Sequence, residues 1–190
     1  MKILVCISHV PDTTSKINFI NDDKEFDTNG VQFVINPNDE FGLTRAIWFK
    51  EKQGAHITVA NVGGNDTEAT IRKALAIGAD EAIRVNANPT DGAFVAEQLA
   101  TVVKNGNYDL VICGKESLDY NGGMVPGMLA AHLGYNFVNS CIGLEIDGGN
   151  AKVTREIDGG KETLSCATPL VVGGQKGIVE EKDLKIPNMR

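Results

Sequence analysis

The chain has 190 residues, 42% of them hydrophobic, which is enough to bury one sizeable core and too little for two independent domains. Its 18 Lys+Arg stand against 25 Asp+Glu, a formal net charge of -7, and no basic cluster is interleaved with aromatics, so nucleic acid and anionic membranes are set aside as partners. No apolar run is long enough to span a bilayer, and the N-terminus opens on strand-like Lys2-Ile3-Leu4-Val5-Cys6-Ile7 instead of a charged leader; a cytoplasmic protein without direct membrane insertion is expected.

Apolar strand-like runs alternate with segments of helical periodicity through the first two-thirds of the chain, the pattern of a parallel sheet covered by helices. In chain order the spacing predicts strands over 3–8, 56–62, 81–85 and 110–113, and helices over 39–53, 67–77, 92–105 and 123–133. Gly54, Gly78 and Gly134 follow three of these helices, where a left-handed C-cap is commonly needed. Between the first strand and the first helix, residues 16–36 carry Asp22-Asp23-Lys24, Thr28-Asn29-Gly30 and then Val31-Gln32-Phe33-Val34-Ile35, which reads as a turn-linked hairpin inserted on the sheet.

After residue 138 the pattern changes. Short strands over 141–146, 151–157 and 161–167 are joined by Asp147-Gly148-Gly149-Asn150 and Asp158-Gly159-Gly160, an antiparallel meander. Two hairpin turns of one type explain the repeated Ile-Asp-Gly-Gly without any sequence duplication. Beyond Gly173-Gly174 the chain is charged and turn-rich. The expected organisation is one α/β domain over 1–173, including the hairpin near 16–36 and the meander over 141–173, followed by an incomplete C-terminal loop or arm over 174–190. The expected fold class is an open, mostly parallel sheet with helices on both faces, adenine-nucleotide α-hydrolase-like, with the antiparallel meander appended.

The four cysteines, Cys6, Cys113, Cys141 and Cys166, stand singly, mostly in apolar strand-like segments, and read as reduced core residues. His9, His56 and His132 are scattered, so no metal site is expected. In an open parallel sheet, ligands bind beyond the carboxyl ends of the strands, which directs attention to the residues after each strand. Gly122 and Gly123 precede a predicted helix and allow close backbone approach to a phosphate, while Asp119 and Asn121 are placed to meet a ribose or an adenine amine. Gly63-Gly64-Asn65-Asp66-Thr67 fits the same reading or a plain turn in which Asn65 or Asp66 caps the next helix. No P-loop, no G-x-G-x-x-G after the first strand and no G-x-S-x-G elbow occurs, and no catalytic constellation stands out.

From residue 2 to its end the sequence resembles the electron transfer flavoprotein β subunits. The likeness is most specific over Val153-Thr154-Arg155-Glu156-Ile157-Asp158-Gly159-Gly160-Lys161-Glu162-Thr163-Leu164 and Pro169-Leu170-Val171-Val172. It is joined by Val10-Pro11-Asp12, Ile35-Asn36-Pro37-Asn38-Asp39 and Ala74-Leu75-Ala76-Ile77-Gly78-Ala79-Asp80. The resemblance implies a non-catalytic electron carrier: a heterodimer with an α subunit that mainly holds one FAD, and an AMP with a structural role in this chain. Electrons would arrive from acyl-CoA-type dehydrogenases, as in fatty acid oxidation, and leave toward a quinone oxidoreductase. Carried over by position, the AMP site comprises Cys6; Asn36, Pro37, Asn38 and Asp39; Val62; and Asp119, Tyr120, Asn121, Gly122, Gly123, Met124, Val125, Pro126, Gly127 and Ala130. Ile186, before Pro187, matches the family's apolar anchor for partner dehydrogenases.

Two departures stand out. Many family members carry a Gln in the phosphate loop where this chain has Met124-Val125-Pro126, and they usually continue into an arm that wraps the α subunit. Some relatives hold a second FAD in the AMP pocket and bifurcate electrons from NADH. Among other classes, an ATP-pyrophosphatase-type adenylating enzyme is suggested by Gly63-Gly64-Asn65-Asp66-Thr67, although Val62 stands where its leading Ser belongs. A homodimeric nucleotide-binding stress protein would need a long Gly-rich signature after the fourth strand, which is missing.

Overall fold

The computed structural model describes residues 1–187. Twelve strands and four helices follow one another as β1 (Lys2–Cys6), β2 (His9–Pro11), β3 (Phe19–Ile20), β4 (Glu25–Phe26), β5 (Phe33–Ile35), α1 (Pro37–Gln53), β6 (His56–Val62), α2 (Glu68–Ile77), β7 (Glu81–Val85), α3 (Gly92–Gly106), β8 (Leu110–Gly114), α4 (Val125–Leu133), β9 (Asn136–Asp147), β10 (Asn150–Ile157), β11 (Gly160–Ala167) and β12 (Leu170–Gly174). Eight of them form one sheet in the order β11-β10-β9-β12-β8-β1-β6-β7. Pairing is parallel from β9 through β7 and antiparallel across β9, β10 and β11.

Strands covered on both faces need continuous apolar runs, and β8, β12 and β1 beyond its exposed first residue, Lys2, supply them. Alternate side chains divide between two cores: Ile3 and Val5 meet Leu43, Ile47 and Ile71 of α1 and α2, while Leu4 and Cys6 meet Leu99, Val103 and Leu129 of α3 and α4. Each such side chain contributes about 1.5–3 kcal/mol of burial. At the free edge, β11 alternates exposed and half-buried positions. Helix α1 packs close to β8 because residue 42 is glycine; a Cβ there would stand 2.7 Å from Ile112 Cγ2.

The helix ends follow their local chemistry. Pro37 starts α1 with its φ already helical, Asp39 and Glu40 lie in the first turn, Lys50 and Lys52 in the last, and left-handed Gly54 closes it. Asp91 caps α3 by accepting the Phe94 N–H at 2.8 Å. Gly134 is left-handed as expected, whereas Gly78 has φ 144° and serves to let Ile47 approach.

Several expectations are corrected. Residues 33–35 pair with β2, not with the arm before them; the small β3–β4 ribbon turns at Asn21, Asp22 and Asp23, all at positive φ. β9 begins at Asn136, because its first half pairs with β12 and its second with β10 across an irregularity at left-handed Ser140. The two meander turns differ: Gly148 and Gly149 both have positive φ, whereas at Asp158-Gly159 only the glycine does. Neither Asn65 nor Asp66 caps α2, which starts at Glu68 after a 3-10 turn with Thr67 at the cap position, and α4 starts at Val125, two residues after Gly123. The largest miss is β12, a strand in the middle of the sheet.

Candidate functional site

From β1 the chain crosses through α1 to β6 and through α2 to β7, then returns through α3 to β8 on the other side of β1. The loops leaving β1 and β8 therefore diverge, and such a switch point opens a crevice at the carboxyl ends of the strands. A cavity of about 850 Å³ lies there, within the usual range for small-molecule sites.

Its floor is apolar. Cys6, Ala60, Val62, Leu99 and Cys113 line it from both sides of β1. A hydrogen bond with Cys6, burial and the nearby Asp39 carboxyl hold the Cys113 thiol well above its ordinary value, so it is a neutral thiol. Beside them Asn61, 3% exposed, donates its Nδ2–H to Ile7 O at 2.9 Å, and its buried Oδ1 has no partner among the described residues.

Asp39 ties the two diverging strands together. Its carboxylate accepts the Ser8 N–H at 2.8 Å and the Gly114 N–H at 2.7 Å. Burial pushes this carboxyl up to about 7 against the pull of those donors. Only glycine fits at 114, since a Cβ would fall 2.3 Å from Asp39 Oδ1 and 2.8 Å from Asn38 Cβ. The Asn36 and Asn38 side chains donate to Glu116 O at 2.9 and 3.1 Å, and Asn36 Oδ1 accepts the Leu118 N–H at 3.2 Å. The run from Asn36 to Asp39 thus fixes the path of the loop after β8.

That loop supplies the polar rim. Asn121 sits at φ 50° and Gly123 at φ 61°, and the Asn121 N–H is engaged by Ser117 O at 2.9 Å. The N–H groups of Met124, Val125 and Gly127 precede the first intrahelical bond of α4, from Met128 N–H to Met124 O, and are the donors a helix N-terminus offers an anion, with Gly122 and Gly123 in the loop before them. Pro126 withdraws one donor from this first turn. Opposite, His9 stacks on Phe33 at 4.4 Å and its Nδ1 meets Thr70 Oγ1 at 2.8 Å. The cavity thus combines an apolar floor, a nearby buried acceptor without a partner among the described residues and a helix start at its rim.

Of the residues expected at the site, Cys6, Asp39, Val62, Asp119, Tyr120, Gly122, Gly123, Met124, Val125 and Pro126 line the cavity. Asn36, Pro37, Asn38, Asn121, Gly127 and Ala130 do not; Asn36 and Ala130 are buried behind it, and Gly127 packs toward the Phe137 ring. Ile186 is 80% exposed in the C-terminal loop, which is tied to α1 where the Lys185 N–H donates to Thr44 Oγ1. The sequence reading missed the wall over 86–91 and the cover given by Phe26, Thr28 and Phe33. The wall follows a strand and precedes a helix, so the strand-end rule applied to β7 finds it; the cover depends on a long-range pairing and carries no local signal.

Fold and crevice together define a doubly wound α/β domain with its site at the topological switch point. The family model for the electron transfer flavoprotein domain matches residues 24–188. Curated relatives include the electron transfer flavoprotein subunit beta of Syntrophomonas wolfei, 35% identical over 100% of this chain and 74% of its own length. Those of Bacillus subtilis and Homo sapiens are 31% and 32% identical over the whole chain, covering 74% and 76% of their lengths. The chain belongs to the electron transfer flavoprotein β-subunit family, and that membership implies an α-subunit partner. Among the described residues no helix is long and apolar enough to cross a membrane, and no His, Cys, Asp and Glu cluster is arranged to hold a metal ion.

Proposed function

We propose that the chain acts as the non-catalytic β subunit of a heterodimeric electron carrier, with AMP in the switch-point cavity as a structural ligand and FAD held mainly by the α subunit. Electrons pass from acyl-CoA-type dehydrogenases to a quinone oxidoreductase, and Ile186 with Pro187 forms the anchor for the donor. The observation that supports the AMP reading is the cavity at the switch point, lined by residues 122–126 at the start of α4 and by the apolar floor of Cys6, Ala60, Val62 and Leu99, in a chain of this family. The cavity's volume, toward the upper end of the usual range, favours one second reading, a second FAD in the same place and electron bifurcation.

The test is to denature the purified chain and identify released nucleotides by chromatography and mass spectrometry, then repeat with the co-expressed α subunit. One AMP per chain, with FAD appearing in the pair alone, is the expected result. A second FAD means bifurcation, and ATP turnover or the lack of any adenine nucleotide overturns the proposal.

A further inference from the structure

Two cysteines share one stretch of sheet where the strands that carry them begin to part. Val5 stands level with Ile112 across the β1–β8 pairing, and the next residues along are Cys6 and Cys113. Both side chains belong to the core formed with α3 and α4, so they lie on the same face of the sheet, and both line the cavity. Their thiols are in hydrogen-bond contact. Adjacent strands run about 4.8 Å apart, inside the range of about 4.4–6.8 Å between Cα atoms that a disulfide spans. The other two cysteines are placed elsewhere. Cys141 is buried in the opposite core, its thiol donating to Gly143 O at 3.4 Å, and Cys166 lies on the edge strand β11, packed against that same core.

We infer that Cys6 and Cys113 form a reversible dithiol–disulfide pair, a redox site in the wall of the sheet whose oxidant is a small uncharged peroxide. A cysteine closed into a packed core is inert, whereas this pair faces a space of about 850 Å³. Asp66, Asp91, Glu116 and Asp119 lie along that space and, among the described residues, no Lys or Arg lines it. Anionic oxidants such as glutathione disulfide are therefore disfavoured, and hydrogen peroxide is not. In the first step one sulfur, as thiolate, attacks the O–O bond and becomes a sulfenic acid, while the second oxygen leaves as hydroxide and is protonated to water. The neighbouring sulfur then displaces the sulfenic hydroxyl, which leaves as a second water as the S–S bond forms. Two thiols are oxidised, the peroxide takes up their two electrons, and the two thiol protons end in the two waters. Because the partner sulfur is already in contact, this capture is intramolecular and precedes oxidation to a sulfinic acid. The bond with Cys6 and burial hold the Cys113 thiol well above its ordinary value, so thiolate is scarce at neutral pH and mildly alkaline solution is the condition for the test.

The experiment treats the full chain, freed of bound small molecules and reduced, with hydrogen peroxide, then denatures it in N-ethylmaleimide and counts labels by mass spectrometry. Labelled cysteines are expected to fall from four to two, with Cys141 and Cys166 still labelled, and dithiothreitol should restore all four. In the unreduced digest the tryptic peptide 3–16 should be joined to 105–115. Cys113→Ala should halt the reaction at a sulfenic acid on Cys6, trapped by dimedone; if that variant does not fold, the wild-type digest still decides. Survival of all four thiols, a sulfinic acid on Cys6 or Cys113 in place of the S–S bond, or a bond through Cys141 or Cys166 overturns the inference. The same linkage obtained equally well from the denatured chain also overturns it, because the sheet then plays no part in the pairing.

Discussion

Asp39 brings two strand ends and a helix start to one buried carboxyl, and its titration is the most direct probe of the crevice. Its folded value, about 7, lies above the ordinary 3.8. A raised carboxyl contributes stability that is complete below 3.8 and lost as the pH climbs through 7, at up to about 1.4 kcal/mol per pH unit inside that window. Asp39→Asn removes this slope, and whatever offset the amide introduces is independent of pH. Denaturant midpoints of the two proteins should therefore separate in the variant's favour as the pH rises across the window; a constant difference contradicts the assignment. Ile186 lies at the opposite extreme, 80% exposed and covering none of the core. Ile186→Ala should leave the unfolding midpoint unchanged and raise the KM for the donor dehydrogenase about ten-fold, as for an apolar anchor at a docking surface.

Among the elements, β12 and the β3–β4 ribbon make opposite demands on the fold. Leu170 is fully buried on β12, between β8 and β9. Leu170→Ala should cost about 2–5 kcal/mol in a denaturation experiment. The ribbon instead exposes Ile17, Phe19 and Ile20, while β2 and β5 pair below it without its help. Replacing residues 17–27 by a short Gly-Ser linker should hardly change stability, yet loss of Phe26 from the cavity wall should speed AMP dissociation several-fold in stopped-flow exchange. These two elements also mark where the sequence stopped being legible. Strands flanked by amphipathic helices and glycine caps are local signals, and β1, β6, β7, β8 and all four helices were readable from them. β12 is a five-residue apolar run that makes sense only beside strands distant in sequence, and the first half of β9, rich in Asn and Ser, is a strand only because β12 pairs with it. The site was legible in outline because strand ends are local. The cover given by Phe26, Thr28 and Phe33 was not, because it depends on the long-range pairing of β5 with β2.

For the whole molecule, the cavity joins the ends of β1, β6 and β8, the wall after β7 and the start of α4, so a ligand there fastens both faces of the sheet at once. AMP at about one hundred times its Kd should add about 2.7 kcal/mol to stability. In a thermal melt that is a rise of about 5–10 °C for a domain of this size; no rise would show that AMP does not bind the folded chain selectively.

The central place of β12 sets an order of events during synthesis. A nascent chain that has left the ribosome through β11 already carries four parallel strands and the complete meander, but the strand that welds them has not emerged. Until it does, the apolar edge of β8 lies open next to an unattached three-stranded ribbon, the kind of surface that chaperones hold and aggregates grow from. A message stalled before β12 would therefore release a chain whose two halves carry matching open edges, and the cell's quality control has to act on it until residues 170–174 emerge.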